Sequence, residues 1–182
     1  DYAFFQHILA SMDDKTGRCA ILLPHGVLFR KEEEVLRKKL VESDLIECII
    51  GLGANLFYNS PMEACIIICR KNKAQEAKGR ITFINAVNEV VRKNAESYLE
   101  EKHIAKICKA YSTQDNIDNF SRTVSNELVL ENSANLNISL YVSAVAATEI
   151  SVLSVDDSIK QWQIRNKQMY NEFDNLLSLI HG

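Results

Sequence analysis

The sequence predicts an α/β fold, because continuous apolar runs of strand length alternate with segments that have the apolar spacing of helices. The runs are residues 19–23, 45–50 and 64–69, and residues 31–41 carry one apolar and one charged face. Near the end of the chain, residues 159–180 repeat apolar side chains in heptad steps. With 182 residues, 47% of them apolar, the chain is long enough to bury a sizeable core.

The predicted elements begin with a helix, a strand and a second helix. Residues 2–12 have the spacing of an amphipathic helix, with apolar side chains at Phe4, Phe5, Ile8, Leu9 and Met12. The first strand, residues 18–23, ends at Pro24. Its unbroken apolarity is typical of a strand that is covered on both faces in a parallel sheet. A loop then leads into the helix of residues 31–41.

Three more strands follow. Residues 45–50 and 64–69 are joined by a loop of about a dozen residues, which allows an antiparallel hairpin at the edge of the sheet. Residues 79–85 alternate enough to form a further strand near an edge. The sheet and its helices are therefore assigned to residues 1–86.

Helix and turn signals dominate the next part of the chain, residues 87–142. Ser97 with Glu100 three residues later has the form of a capping box, which predicts that a helix begins at Ser97. Residues 120–125 and 135–142 are predicted to be extended, with a short helix between them. This region is interpreted as a helical extension of the sheet domain.

The last part, residues 143–182, is predicted to be a linker followed by a partner-binding helix. Alternating three- and four-residue steps place one seam at Ile159, Trp162, Asn166, Met169, Phe173, Leu176 and Ile180. Asn166 stands at an a-type position, where an asparagine can set register and partner at a cost in stability. The stripe allows packing on the same domain or on another chain, and the linker before it favours another chain.

Composition excludes several classes of protein. The odd number of cysteines, five, and their place in apolar runs indicate buried thiols in a reducing cytoplasm rather than disulfides. Cys65 and Cys69 lie on one face of a strand, but no second pair or nearby histidine completes a zinc site, so no metal is expected. No apolar run approaches the ~20 residues that span a bilayer. The net charge of −3 argues against coating of nucleic acid by bulk electrostatics.

The loop between the second and third strands holds the sharpest candidate site. Phe57 and Tyr58 are large aromatic residues at the end of a sheet where such folds keep ligand-facing loops, and they offer a surface for stacking a base. Phe57 could equally plug the core beneath the loop. Candidate phosphate contacts near this side are Arg30, Arg70, Lys71 and Lys73, with simple solvation as the alternative.

Other patterns are weaker. His25 stands beside Gly26 at the end of the first strand, where it could serve acid–base chemistry or be an ordinary loop histidine. Gly51-Leu52-Gly53 lacks the third glycine of a dinucleotide fingerprint. No Gly-x-Ser-x-Gly elbow is present.

Together these segments resemble the modification (M) subunit of type I restriction-modification systems, an adenine-specific DNA methyltransferase that uses S-adenosylmethionine. The similar motifs are Leu-Pro-His-Gly-Val-Leu-Phe at residues 23–29, Asn-Leu-Phe-Tyr at 55–58 and Asn-Leu-Asn-Ile-Ser at 135–139. The resemblance covers residues 1–142. It implies that the sheet is the carboxyl-terminal part of a Rossmann-like, S-adenosylmethionine-dependent methyltransferase domain.

The resemblance also implies roles for individual residues. Phe57 corresponds to the aromatic that contacts the flipped adenine, with Tyr58 beside it, and Phe4 to an aromatic beside the adenine ring of the cofactor. A methyltransferase that acts on a base in duplex DNA has to rotate that base out of the stack. His25 stands where the family commonly has Asn, and no role is assigned to it.

The family's Asn-Pro-Pro-Phe motif and its glycine-containing cofactor motif are missing from this chain, whose only prolines are Pro24 and Pro61. The expected function is therefore that of a fragment: it supplies a base-facing loop and subunit assembly for adenine methylation, without a catalytic residue of its own. The alternative is a non-catalytic module for subunit interaction.

Expected partners are the specificity subunit, the restriction subunit and double-stranded DNA. In such systems the specificity subunit reads the DNA target. A sheet that lacks its first strands has an exposed apolar edge, so self-association of the fragment is a further expectation.

Overall fold

The computed structural model describes residues 2–57, 60–93 and 96–142, together with Asn166. The chain divides into two compact units, Asp1–Ala144 and Val145–Gly182. The helices and strands described in the first unit are α1 (Tyr2–Ala10), β1 (Arg18–Pro24), α2 (Glu34–Glu42), β2 (Ile46–Leu52), β3 (Ala64–Arg70), β4 (Arg80–Ala86), β5 (Val91–Lys93), β6 (Glu96–Tyr98), α3 (Glu101–Thr113), β7 (Ser121–Ser125) and α4 (Asn126–Glu131). The α/β class predicted from the sequence is confirmed.

Five of the strands form one mixed sheet in the order β1-β3-β2-β4-β7. Strand β3 is antiparallel to both of its neighbours, and β7 is antiparallel to β4. Only β2 and β4 run parallel among the described pairs. The predicted antiparallel pairing of β2 with β3 is confirmed, but its expected place at the edge is wrong, because β3 lies between β1 and β2.

Each face of the sheet carries an apolar core. One face packs Ile67 and Phe83 against α1, α2 and the segment after α4. The other face packs Ile50 and Ile84 against α3 and Phe120. Strand β2 is buried at all seven positions because it lies between these two layers.

Strand β1 differs from its expectation. Ile21 and Leu23 are buried, whereas Ala20 and Leu22 on the other face are exposed. The prediction of a strand covered on both faces is therefore wrong for β1 within the described residues. The reason is its position, since β1 is at the margin of the sheet and α3 covers the central strands.

The predicted opening helix is confirmed as α1, but its buried face differs from the expected one. The buried residues are Tyr2, Phe5 and Leu9, while Phe4 is 78% exposed. The Tyr2 hydroxyl donates a hydrogen bond to the Val27 carbonyl at 3.2 Å. Burial raises the pKa of Tyr2 to about 12, so this phenol stays protonated and remains a donor at neutral pH.

Helix α3 begins later than predicted, and Ser97 is not its N-cap. Ser97 belongs to β6, which pairs with β5 as a hairpin. Glu100 is the N-cap, and its N–H donates to His103 Nδ1 at 3.2 Å in a reciprocal capping box. A capping box exists near the predicted place, but it is three residues further along the chain.

Residues 87–142, assigned above to a helical extension, also build the sheet unit. They contribute β7 to the sheet, and the segment after α4 returns to the core beneath it. The Leu136 N–H donates to the Leu28 carbonyl at 2.9 Å. The buried guanidinium of Arg37 donates to the carbonyls of Ala134, at 3.0 Å, and Arg30, at 2.6 Å. Residues 87–142 therefore share one core with residues 1–86.

Of the predicted C-terminal seam, the structure describes Asn166 alone, which is helical and partly buried. The other seam residues lie outside the described part of the chain: Ile159, Trp162, Met169, Phe173, Leu176 and Ile180. The partner-binding helix stays a prediction.

Candidate functional site

The loop from β2 to β3 starts at the end of the sheet where β1 and β2 both terminate. Pro24 at the end of β1 pairs with Ala64 at the start of β3, and Leu52 at the end of β2 pairs with the same alanine. The antiparallel register therefore places the loop beside the turn that follows β1. The loop thus lies at the carboxyl ends of both strands.

Phe57 is at the surface of this loop. It forms an isolated bridge with Ser60, whose N–H donates to the Phe57 carbonyl at 3.0 Å. Its relative exposure is 36%, and it belongs to neither apolar core. The alternative that Phe57 plugs the core beneath the loop is therefore wrong.

A cavity of about 190 Å³ adjoins Phe57. Its walls are the end of β1 and the end of the loop, formed by Leu22, Leu23, Pro24, Phe57, Ser60, Met62, Glu63 and Ala64. Leu22 and Met62 are themselves exposed, at 48% and 60%. The volume is below the range of about 300–1,000 Å³ typical of small-molecule sites, so the cavity is a shallow depression rather than an enclosed pocket.

The loop is held by the β5–β6 hairpin, which sequence reasoning missed. The Ser97 N–H donates to the Asn55 carbonyl at 2.9 Å. Asn55 has a left-handed backbone with φ of 60°, which Asn adopts more readily than most residues. A Cβ atom on Gly53 would lie 2.5 Å from the Val87 carbonyl oxygen. Gly53 was the one signal of this packing in the sequence, because a residue without a Cβ atom lets the segment at Val87 approach the loop closely.

Gly51 has a similar packing role. A Cβ atom there would lie 2.7 Å from Ile138 Cδ1, in the segment that contains Asn-Leu-Asn-Ile-Ser. Gly51 and Gly53 thus admit neighbouring chain segments. This supports the interpretation that Gly51-Leu52-Gly53 is not a phosphate loop.

His25 lies beside the cavity, on the short 3₁₀ turn after β1. The His25 backbone N–H donates to the Glu63 carbonyl at 3.2 Å, and the ring Nδ1 lies 4.0 Å from Glu63 Oε2. Its ring meets the ring of Phe29 edge-on, with centroids 5.7 Å apart. These contacts fix the turn against the start of β3, which is a structural role.

Arg30 is at the same end of the sheet as Phe57. Its guanidinium packs over Gly26, because a Cβ atom on that glycine would lie 2.9 Å from Arg30 Nε. The Arg30 carbonyl accepts from Arg37, so its backbone is also fixed. Of the four predicted phosphate contacts, Arg30 lies two residues after the turn that borders the cavity. The prediction is wrong for Lys73, which is buried and pairs with Asp44.

Arg70 and Lys71 are at the opposite end of the sheet. The register pairs Arg70 with Arg18 at the start of β1, six residues from the Pro24 pair, which corresponds to about 20 Å. The expectation that these two cations flank the same side as Phe57 is wrong, because β3 runs antiparallel and carries its last residues away. Lys71 also pairs with Asp14 at 2.9 Å.

Arg70 takes part in a partly buried cluster around Glu47 that sequence reasoning missed. Its Nε lies 3.0 Å from Oε1 of Glu47, a carboxylate that is 8% exposed. The Tyr111 hydroxyl donates to Glu47 Oε2 at 2.8 Å. The hydrogen bond with Tyr111, together with the Glu47 charge, raises the pKa of Arg70. No local pattern reveals this cluster, because β2, β3 and α3 each supply one member.

The remaining predicted residues are dispersed. Phe4 is on the exposed face of α1, and Tyr58 lies outside the described residues. Within the described part of the chain, no group of three or more His, Cys, Asp or Glu side chains is placed to hold a metal ion. None of the described helices is long and apolar enough to cross a membrane.

The sequence is similar to known methylase subunits. It matches the N-6 DNA Methylase family over residues 1–150. The methylase subunit of the type I restriction enzyme MjaVIII from Methanocaldococcus jannaschii is 41% identical, over 100% of this chain and 31% of that protein. The methylase subunit of MpnII from Mycoplasma pneumoniae is 31% identical, over 97% of this chain and 34% of that protein. The chain thus spans about a third of the length of these relatives.

Solved structures are similar as well. The methyltransferase subunit of a type I restriction-modification system from Streptococcus thermophilus has 38% identity and a TM-score of 0.74, over 79% of this chain and 30% of that chain. The EcoKI M protein has a TM-score of 0.60 at 17% identity, over 88% of this chain and 41% of that chain, and it shows the fold alone. The chain belongs to the N-6 DNA methylase family, and within that family it is similar to the methylase subunits of type I restriction enzymes.

Proposed function

We propose that this chain is the carboxyl-terminal part of a type I modification subunit that methylates the exocyclic amino group of adenine. The methyl group would come from S-adenosylmethionine. The chain carries neither the Asn-Pro-Pro-Phe motif nor the cofactor motif, so its own residues bind and position rather than perform the transfer. The observation that carries the proposal is the exposure of Phe57 beside a cavity at the end of the sheet.

Phe57 is proposed to stack on the extruded adenine. An adenine that leaves the duplex loses its stacking neighbours, and an aromatic ring on a fixed loop replaces part of that contact. Tyr58 is proposed to act beside it. The hydrogen bond from Ser97 and the close approach of Val87 to Gly53 hold the loop before the base arrives, which reduces the cost of ordering it.

Phe4 is proposed to stack on the adenine ring of the cofactor. Its 78% exposure leaves the ring face available on α1. One exposed aromatic ring is a partial cofactor site, and the rest would come from polypeptide outside this chain.

Arg30, Arg70 and Lys71 are proposed to contact DNA, and they differ in position and in their existing partners. Arg30 is at the Phe57 end of the sheet, so we place the phosphates nearest the extruded base beside it. Arg70 and Lys71 already pair with Glu47 and Asp14, and contact with DNA there requires exchange of those partners. The C-terminal seam is proposed to bind the specificity subunit, with the restriction subunit as a further partner of the assembly.

The central test joins the chain to an upstream segment that carries the Asn-Pro-Pro-Phe motif and measures methyl transfer to duplex DNA. Phe57→Ala should reduce transfer by about 5- to 150-fold, since stacking contributes about 1–3 kcal/mol per base, and Phe57→Trp should retain most of it. Phe29→Ala is the matched control, because Phe29 is an exposed aromatic at the same end that does not line the cavity. Unchanged transfer by Phe57→Ala would remove Phe57 from the site.

A second measurement separates the enzymatic proposal from the alternative of a pure interaction module. Deletion of residues 155–182 should abolish complex formation with a specificity subunit. If the joined protein binds that subunit through this segment but never methylates DNA, the interaction module is the correct function.

A further inference from the structure

We propose that Cys19 and Cys69 form a reversible disulfide across β1 and β3 when the protein meets a peroxide. This would be an oxidative modification site in the sheet, independent of the proposed methylation role. It rests on the strand register, on the packing of both side chains in the same core and on the different surroundings of the other three cysteines.

The register places the two residues directly opposite each other, Cys19 on β1 and Cys69 on β3. Directly opposed residues of antiparallel strands have Cα atoms about 4.5 or 5.5 Å apart, depending on the type of pair. Both values lie within the range of about 4.4–6.8 Å that disulfides span. Both side chains point to the same apolar core, where Cys69 is a buried member and Cys19 packs against it.

The two thiols differ in acidity. The neighbouring Cys69 thiol and backbone N–H lower the pKa of Cys19 to about 7 against the opposing effect of burial. The neighbouring Cys19 thiol, together with burial, raises the pKa of Cys69. The pair is thus asymmetric, with a nucleophilic thiolate on one side and a retained thiol on the other.

The two thiols also differ in their exposure to solvent, and the more acidic one is the more exposed. Cys19 is partly exposed at the margin of the sheet, whereas Cys69 is fully buried between neighbouring strands. A small oxidant therefore reaches Cys19 first. Because β1 pairs only with β3 among the described strands, its backbone can shift slightly to bring the two sulfurs to bonding distance.

The chemistry is a two-electron oxidation. The Cys19 thiolate attacks one oxygen of hydrogen peroxide, the O–O bond breaks, and the leaving hydroxide takes a proton to become water. The Cys69 sulfur then attacks the resulting sulfenic acid, the S–S bond forms, the S–O bond breaks, and the second water leaves with the thiol proton. Two thiols are oxidised while one peroxide is reduced to two waters.

The other cysteines do not offer this geometry. Cys65 is four residues from Cys69 on the same strand, about 13 Å away. Cys48 packs in the core on the opposite face of the sheet. Cys108 is on an exposed position of α3 and serves in the experiment as the residue to remove.

The test treats the folded 182-residue chain with hydrogen peroxide in a Cys108→Ser background, which prevents links between molecules through that exposed thiol. The mass should fall by about 2 Da, because two hydrogens are lost, and two of the four remaining thiols should disappear. Trypsin cleaves after Arg18 and Arg30, so the peptide of residues 19–30 should be found joined to the peptide of residues 40–70. Because that second peptide also contains Cys48 and Cys65, fragmentation in the mass spectrometer has to locate the link at Cys69. A reducing thiol should restore the starting mass.

Matched variants assign the pair. Cys19→Ser and Cys69→Ser should each prevent the loss of mass, whereas Cys65→Ser should leave the Cys19–Cys69 link in place. In denaturant, the same oxidant should scatter the links among all cysteines, because the register is lost. If a variant fails to fold, fragmentation of the linked peptides from the unsubstituted protein shows whether Cys19 is joined to Cys69, Cys65 or Cys48. A Cys19 that stops at sulfenic acid, or links that join other cysteines in the folded protein, would overturn the proposal.

Discussion

Lys73 donates a hydrogen bond from Nζ to Asp44 Oδ1 at 2.6 Å, and the Lys73 side chain is only 1% exposed. Asn126 Nδ2 donates to the same carboxylate oxygen at 2.9 Å, and the Gly79 N–H donates to Oδ2 at 3.0 Å. Lys73 also donates to the Arg80 carbonyl at 2.9 Å. The Asp44 carboxylate thereby joins the turn after α2 to the segment between β3 and β4 and to the start of α4, at the end of the sheet away from Phe57.

Asp44→Asn should lower the free energy of unfolding by about 3 kcal/mol, because it leaves the Lys73 ammonium buried without its counter-charge. Asn also tolerates the left-handed backbone at this position, where φ is 51°, so the change tests the charge rather than the turn. Denaturant unfolding measures the effect. Asp14→Asn is the control, since Asp14 pairs with Lys71 while 90% exposed, and it should leave stability nearly unchanged. Equal stability of the two variants would contradict the prediction.

The same carboxylate should make stability depend on acid pH. Burial raises the pKa of Asp44, but the hydrogen bonds from Lys73, Gly79 and Asn126 outweigh it and hold the pKa below the ordinary 3.8. The folded protein therefore binds fewer protons here than the unfolded chain, so the contribution is present above the unfolded pKa and lost as the pH falls through the folded pKa. The difference in unfolding free energy between wild type and Asp44→Asn should stay constant down to about pH 4 and shrink below it. A difference that shrinks near neutral pH would assign the effect to another group.

The two glycines after β2 should differ in their tolerance of a methyl group. Gly53→Ala should cost about 2–3 kcal/mol, because its Cβ would lie 2.5 Å from a backbone oxygen, at Val87, that cannot rotate away. Gly51→Ala should cost about 1 kcal/mol, since its Cβ meets only the end of the Ile138 side chain. Adding Ile138→Val should recover part of the loss for Gly51→Ala and none for Gly53→Ala, as judged by thermal unfolding. Rescue of Gly53→Ala by the same change would contradict this assignment.

The segment after α4 should be required for the stability of the sheet unit. The Tyr141 ring stacks on Phe83 with centroids 4.3 Å apart, and its hydroxyl donates to the Asn135 carbonyl at 2.6 Å. Tyr141→Phe should cost about 1 kcal/mol for the hydrogen bond, and Tyr141→Ala about 4 kcal/mol for the lost ring. Tyr98→Ala, at a tyrosine that is 43% exposed, is the control and should be mild in the same denaturation assay. A Tyr141→Ala variant as stable as this control would show that the segment does not hold the core.

Phe57→Ala should leave the fold nearly intact. Phe57 is partly exposed and contributes to neither core, so its truncation should cost under about 1 kcal/mol, whereas Phe83→Ala in the buried core should cost about 4 kcal/mol. Circular dichroism during thermal unfolding compares the two. If Phe57→Ala is nearly as stable as the wild type, a loss of methyl transfer by this variant reports a lost contact rather than unfolding. Unfolding of the variant at moderate temperature would contradict the surface position.

Most strands were predictable because burial dictates composition. A strand such as β2, covered on both faces, has to be apolar at nearly every position, and residues 45–50 carry that pattern in the sequence itself. The start of α3 was not predictable in the same way. Ser97 and Glu100 match a local capping pattern, but the Ser97 N–H is used by Asn55, more than 40 residues earlier in the chain. A long-range hydrogen bond thus overrides a local preference.

The candidate site was likewise predictable only where adjacent residues determine it. The aromatic loop could be placed at the carboxyl end of β2 because it directly follows that strand. The position of Arg70 and Lys71 depends on the direction of β3, and the Glu47 cluster depends on which strands become neighbours. Neither is encoded in a contiguous stretch of residues.

The sequence by itself determined the α/β class, the apolar strands, the family resemblance and the loop that carries Phe57, because each is written in adjacent residues. Only the tertiary structure decided which cations share an end of the sheet with Phe57, that Cys19 faces Cys69, and that Lys73 is buried against Asp44. Those relationships arise from strand order and direction, which are set by the free energy of packing the whole unit rather than by any local pattern.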